Sequence, residues 1–432
     1  MEPPAETSVI IIGAGLAGLS CARRLQRDGI PFILLEADQR IGGRLKTDQR
    51  DGFILNHGFQ VLQTAYPEAR RVLDYQRLAL KRFAAGAVVR IEGEFHRVAD
   101  PRRHPGDLWQ TLRAPIGTMG DKMRIARLMH RLRKTAVSDL FELPELPAID
   151  FLKNEGFSQK IIHRFFMPFF AGVCLDPDIK ASSRVFGYVF RLFAEGDVAL
   201  PEQGMAAIPI QLAESLPPES IWLTANVKSI TGRGVVLASG VEIQGDAVVI
   251  ATEGPEVSRL LKKPSAGVSR GEWCLYFGTD QPPIDAPYLV LNGENQGWVN
   301  SLTVPSAVAP SYAPAGRSLI SVVVVGHQTE APGTVEAVVR SDLKQWFGTS
   351  IDTWRHIKTY HIPHALPDQR PPLPNPTAGP SLPHPNVYVC GEYNSVPGIQ
   401  WALLSGRQAA EQILEDRRKR PDRSLRASGQ TV

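Results

Sequence analysis

The apolar runs at the two ends of the chain are short, rich in β-branched residues and bounded by glycine. SVIIIGAGLAGL (8–19) opens with Val9 to Ile12, an apolar run without polar alternation, which predicts a parallel strand buried on both faces. Residues 17–28, AGLSCARRLQRD, change to a helical period and stop at Gly29, a favourable C-terminal residue. PFILLE (31–36) is a second buried strand that ends in an acid. Near the far end VYVC (387–390) predicts another short strand, closed by Gly391 and Glu392. GIQWALLSGRQAAEQIL then reads as a helix, and Ala402, Ser405, Gly406, Ala409 and Ala410 predict that it packs closely.

The middle of the chain has other rhythms. Residues 222–252 show short strands with turns at 231–234 and 239–240. In 122–134 the apolar Ile125, Leu128, Met129 and Leu132 fall at helical spacing, with Arg124, Arg127 and Arg131 on the other face. A surface helix is the expected reading, and a membrane-surface helix is the alternative. Residues 164–193 are dense in Phe; most of these rings should be core, and a minority should line an apolar tunnel. SLISVVVVG (318–326) predicts a strand, and 361–384 reads as a Pro-rich connector.

Gly13, Gly15 and Gly18 form a G-x-G-x-x-G motif between the first strand and the first helix, and Glu36 ends the next strand. Gly13 permits a tight turn, Gly15 lets backbone approach a pyrophosphate, and Gly18 lets helix and strand pack closely. The N–H groups at the helix start, around Leu16 and Ala17, then face the phosphates. Glu36, followed by Ala37, accepts hydrogen bonds from an adenosine ribose. RIGGR (40–44) places Gly42, Gly43 and the cation Arg44 a few residues later, where a nicotinamide enzyme would continue into its next helix. Two more glycines and an arginine suit a second phosphate contact.

The run GAGLAGL…LLEADQRIGGRLKT resembles the N-terminal signature of the FAD-dependent amine oxidase, phytoene desaturase and protoporphyrinogen oxidase superfamily. The resemblance implies that Gly42, Gly43 and Arg44 lie along the pyrophosphate and ribityl part of FAD. The C-terminal segment is similar to the same family's second FAD motif, which implies that Glu392 holds ribityl hydroxyls. The backbone of Ile399, Gln400 and Trp401 would then face the pyrimidine edge of the flavin. Val227 would touch the adenine, and Gly58, in ILNHGFQVL, would lie near the flavin. The implied fold is α/β: a Rossmann-like FAD-binding domain of the glutathione-reductase type, built from 8–95, 200–265 and 385–415. A substrate domain of α+β type comes from 96–199 and 270–360.

Composition changes this picture little. The chain has 432 residues, 43% hydrophobic and 21% charged, which suits two globular domains. The net charge of +4 owes much to RRKRPDRSLR (417–426), and 416–432 is expected to be a basic disordered tail rather than a nucleic-acid arm. Cys21, Cys174, Cys274 and Cys390 form no C-x-x-C pair, so neither zinc nor a disulfide scaffold is indicated. MEPPAETS lacks a basic leader, and no stretch of 18 apolar residues is present, so a cytoplasmic protein is expected, membrane-associated only through a peripheral contact.

No metal or triad constellation is legible, and no catalytic side chain can be assigned. His57 is as readily structural as catalytic, Asn56 stands where many relatives have Asp, and the resemblance implies that Gln60 approaches the flavin ring. The resemblance implies non-covalent FAD chemistry, with hydride passing from substrate to flavin N5 and then to oxygen, a quinone or another acceptor. Amine oxidases place a tyrosine where this chain has Gly398, which favours a large apolar substrate, isoprenoid in the desaturase-like case. A redox-neutral isomerase, an amine oxidase and a non-catalytic FAD-binding protein are the alternatives.

Overall fold

A computed structural model describes residues 3–100, 103–264, 268–284, 286–327, 329–376, 378–392 and 395–419. The chain forms two compact units, one from 1–43, 209–266 and 376–432 and the other from 44–208 and 267–375.

The first unit is built on a parallel sheet. Its strands run in the order Ile221–Trp222, Phe32–Leu35, Glu6–Ile12, Glu242–Ile250 and Val387–Val389. The β-branched run predicted at Val9 to Ile12 takes the centre, pairing Ile12 with both Leu35 and Ile250. The helix Leu16–Arg27 is the crossover between the first two strands. A meander of Val227–Thr231 and Gly234–Leu237 pairs antiparallel with the start of Glu242–Ile250. The last helix, Ile399–Lys419, packs on the first, and Ser20 Oγ donates to the Leu403 carbonyl at 2.7 Å. The expected disordered tail begins too early. Residues 416–419 are helical, because Asp416 accepts from Tyr388 Oη at 2.7 Å and Arg417 pairs with Asp246 at 3.3 Å. The rest of that segment, 420–432, lies outside the described residues.

The second unit holds a seven-stranded sheet ordered Arg355–Pro367, Ser269–Thr279, Ser318–Val325, Val299–Thr303, Leu289–Asn292, Gly86–Ile91 and Glu94–Ala99. Its neighbours are antiparallel except for Leu289–Asn292 beside Gly86–Ile91. Trp273, Leu275 and Phe277 face a core closed by Val335, Val339 and Leu343 of the helix Pro332–Phe347. A helical region over 105–195 completes the unit, with Phe166, Phe170, Phe186 and Phe190 buried in one aromatic cluster.

Two expected boundaries shift. The first FAD segment was expected to reach residue 95, but Gly86–Ile91 is an interior strand of the seven-stranded sheet and the unit boundary falls after Gly43. The supposed connector is partly strand. Residues 361–367 finish the long strand that pairs with Ser269–Thr279, and Ser381–His384 pairs with Val387–Val389.

Candidate functional site

In the first unit the motifs read separately from sequence converge. Gly13 has φ +103, and a Cβ there would lie 2.8 Å from the Ala251 carbonyl oxygen. A Cβ at Gly18 would lie 1.9 Å from the Gly13 carbonyl oxygen, so only glycine lets the helix start directly over the strand end. The Gly42–Gly43 turn meets this loop. Gly42 N donates to the Ala14 carbonyl at 2.8 Å, and a Cβ on Gly43 would stand 3.3 Å from Gly15 Cα. Glycine backbone therefore lies close to the N-terminus of Leu16–Arg27, where Leu16 and Ala17 are buried. A helix start of this kind offers N–H groups and the positive end of the helix dipole to an anion.

Glu36 fixes the same turn. Its Oε2 accepts from Ala14 N at 2.8 Å and its Oε1 from Asp38 N at 3.0 Å. Each oxygen keeps a lone pair for a ribose hydroxyl. The strand end around Glu36 and Ala37 is held by Trp222, Thr224 and Ala225, since Glu36 N donates to the Trp222 carbonyl and Ala225 N to the Glu36 carbonyl, both at 2.8 Å. This segment leads directly to Val227, which is buried.

The far motif joins the same place. Gly391 has φ +96, its N–H donates to Ser405 Oγ at 2.9 Å, and a Cβ on it would be 3.8 Å from Ala17 Cβ. Glu392 is half-buried beside it. Gly398, at φ +127, turns the chain into the last helix, whose first turn is Ile399, Gln400 and Trp401. Gln400 and Trp401 are buried, and a first helical turn has N–H groups that its own helix does not use. A glycine-lined helix start, an acid at a strand end and a second helix start fit the pyrophosphate, ribose and ribityl parts of one dinucleotide.

Arg44 and Gly58 fall in the second unit. The Arg44 guanidinium donates to the Ala365 carbonyl, and its own carbonyl accepts from Gln60 Nε2 at 2.9 Å. Gln60 Oε1 is buried without a hydrogen bond among the described residues. Asn56 is structural: Oδ1 accepts from Thr47 Oγ1 at 2.8 Å and Met205 N at 2.9 Å. His57 sits 2.9 Å from Asp48 Oδ2, which also accepts from Tyr360 Oη at 2.7 Å.

Sequence reading missed Glu272. It alternates with Cys274 and Tyr276 along Ser269–Thr279, on the sheet face opposite Trp273 and Leu275. It is 6% exposed. Oε1 accepts from Phe59 N at 3.1 Å and would lie 2.2 Å from a Cβ on Gly58, which has φ +91. Its strand neighbours in register are Val325 and Ile362. Burial pushes its carboxyl up to about 8, against a smaller downward pull from the Phe59 N–H, a shift that favours the protonated form. The only signal in the sequence was one acid inside EWCLYF, at the parity of buried residues.

A parallel sheet whose first strand turns through glycines into a helix, with an acid ending the adjacent strand, defines a dinucleotide-binding protein. The chain belongs to the flavin-containing amine oxidoreductase family, which it matches over residues 16–414, and FAD is its cofactor. Over 66 residues it is 36% identical to protoporphyrinogen oxidase 2, chloroplastic/mitochondrial, of Arabidopsis thaliana, a match that takes in 15% of this chain and 13% of that protein. Among solved structures it is similar to an oxidoreductase from Methanosarcina mazei, with TM-score 0.71 and 17% identity over 94% of this chain and 100% of that one. It is also similar to putrescine oxidase bound to putrescine, with TM-score 0.68 and 15% identity over 95% and 99% of the two chains.

Proposed function

We propose that this FAD-dependent oxidoreductase withdraws a hydride from a large apolar substrate, with an isoprenoid polyene as the model compound. Gly13, Gly15, Gly18, Gly42 and Gly43 would cradle the pyrophosphate, Glu36 the adenosine ribose and Glu392 the ribityl hydroxyls. When bound, FAD supplies a two-electron acceptor at N5. The protein's part is to bind, orient and exclude water.

The observation that carries the substrate class is the setting of Glu272. Leu175, Val323 and Val325 cluster with Phe59 and Leu366 on the same unit; Glu272, in register with Val325, has its carboxyl pushed up to about 8 by burial, and Asp176 and Asp368 beside this cluster are paired with Arg270. The surface that the partly buried Phe59 and Leu366 leave uncovered would gain from covering a hydrocarbon, at about 25 cal/mol per Å². Phe165, Phe169 and Phe193 are half-buried and in ring contact, and supply further apolar surface.

Amine oxidation is the second reading, favoured by the match of residues 16–414 to the flavin-containing amine oxidoreductase family. Anaerobic reduction of the protein-bound flavin by polyenes, porphyrinogens and small amines separates the two. Bleaching by a polyene is expected, followed by reoxidation with oxygen or a quinone. Rapid bleaching by a small amine alone, or isomerised polyene without net reduction, would overturn the proposal.

A further inference from the structure

The second unit carries an exposed apolar and basic surface that its fold does not explain. It is built from the helix Leu108–Arg113 and the helix Met119–Lys134. The second helix is firmly started. Thr118 Oγ1 accepts from Asp121 N at 3.1 Å, and Asp121 Oδ2 accepts from Thr118 N at 2.7 Å. Asp121 also accepts from Ser158 N at 2.9 Å and Ser158 Oγ at 2.6 Å. Lys122 Nζ donates to the Leu112 and Ala114 carbonyls, which staples the end of the first helix to the start of the second.

The inner side of the second helix is Leu128 and Leu132, buried against the helix Ser183–Glu195. The outer side is unusual. Met119 is 56% exposed, Met123 52% and Trp109 70%. The helical stripe begun by Met119 and Met123 continues through Arg127 and His130 to Arg133 and Lys134, all exposed. Asp121 is the single acid on this helix, and it is fully buried. Arg113, Arg127, Arg133 and Lys134 form no ion pair among the described residues.

Scattered exposed apolar residues need no explanation, but two methionines in line with unpaired cations on one helix, and an exposed tryptophan on the short helix that Lys122 ties to it, are an unusual concentration. Trp prefers the depth of lipid headgroups. Cations flanking such residues on a helix that lies flat match an anionic bilayer surface. No helix among the described residues is long and apolar enough to cross a membrane, so the contact would be a peripheral one. We propose that Trp109, Met119 and Met123 insert at the surface of an anionic lipid bilayer, with Arg127, Arg133 and Lys134 on the headgroups. Charge complementarity selects this occupant: the stripe bears cations and no exposed acid. The inference does not depend on the redox reading.

The test is flotation of the full-length, FAD-loaded protein with vesicles of phosphatidylcholine alone or with phosphatidylglycerol added. The protein should float with the anionic vesicles and lose binding as salt rises. Replacing Arg127, Arg133 and Lys134 together by Gln should weaken binding by about fivefold per cation, or about a hundredfold in all. Replacing Trp109, Met119 and Met123 together by Ser should abolish flotation. Unchanged FAD content in both variants shows that the fold is kept. Brominated lipid should quench tryptophan fluorescence in the wild type and lose that effect in Trp109→Phe. Failure of the wild type to float, flotation unaffected by either triple variant, or binding to an acidic protein without binding to vesicles would each overturn the proposal.

Discussion

Glu272 is a carboxyl group whose burial moves it well away from its value in water. Its carboxyl rises from 4.5 to about 8. A native group with a raised acid pKa holds its proton where the unfolded chain has lost it. Stability therefore falls as pH rises across that window and is level above it. Glu272→Gln should remove this slope, so the loss of stability between about pH 5 and pH 9, on the order of a few kcal/mol in the wild type, should shrink. Denaturant midpoints at the two pH values check it, and an unaltered slope would mean that the acid is ionised in the native state. Glu36→Ala and Arg44→Ala should each weaken FAD binding by about 1.5–3 kcal/mol, or roughly ten- to a hundredfold, measured by titrating apoprotein with FAD. Unchanged affinity in both variants would reduce RIGGR to a plain turn. Glu36 was legible in sequence because local turn chemistry sets its position. Glu272 was not, because its surroundings come from Phe59 and Val325, which are far away in the chain and meet it only when the sheet forms.

Among the elements, the two outer helices of the first unit depend on two glycines. A Cβ at Gly18 would lie 1.9 Å from the Gly13 carbonyl oxygen, and one at Gly406 would lie 2.0 Å from that of Ala17. Both obstacles are backbone, so neither can move aside without shifting a strand end or a helix. Gly18→Ala and Gly406→Ala should each destabilise the protein by about 1–3 kcal/mol and reduce FAD retention, whereas Gly29→Ala, with open space around its Cβ, should leave the site geometry intact. Melting temperature and flavin content after gel filtration measure both effects. The parallel strands and these two helices were readable because each is a continuous run with its own stop signal. Gly86–Ile91 was misplaced because an apolar strand does not announce which sheet it joins; of its partners, Glu94–Ala99 follows it directly but Leu289–Asn292 lies far along the chain.

In the whole molecule the chain leaves the first unit after Gly43, re-enters it at Pro209, leaves again near residue 266 and returns at Pro376. The unit that carries the proposed cofactor cradle is thus assembled from three pieces, which is why neither glycine motif was sufficient alone. The substrate was less legible: Gly398 rather than a tyrosine immediately precedes the last helix, and the surroundings of Glu272 exist only through strand pairing. One consequence concerns how FAD is held. Cys21, Cys174, Cys274 and Cys390 are all buried free thiols. Burial pushes the Cys390 thiol, next to the cradle, up to about 12, so it offers no thiolate to the flavin. The most direct measurement of the central claim is the flavin content of the purified or reconstituted protein before and after acid precipitation. The account predicts a yellow protein with one FAD per chain, all of it recovered in the supernatant. A colourless protein that FAD cannot reconstitute, or flavin that stays with the precipitate, would contradict it.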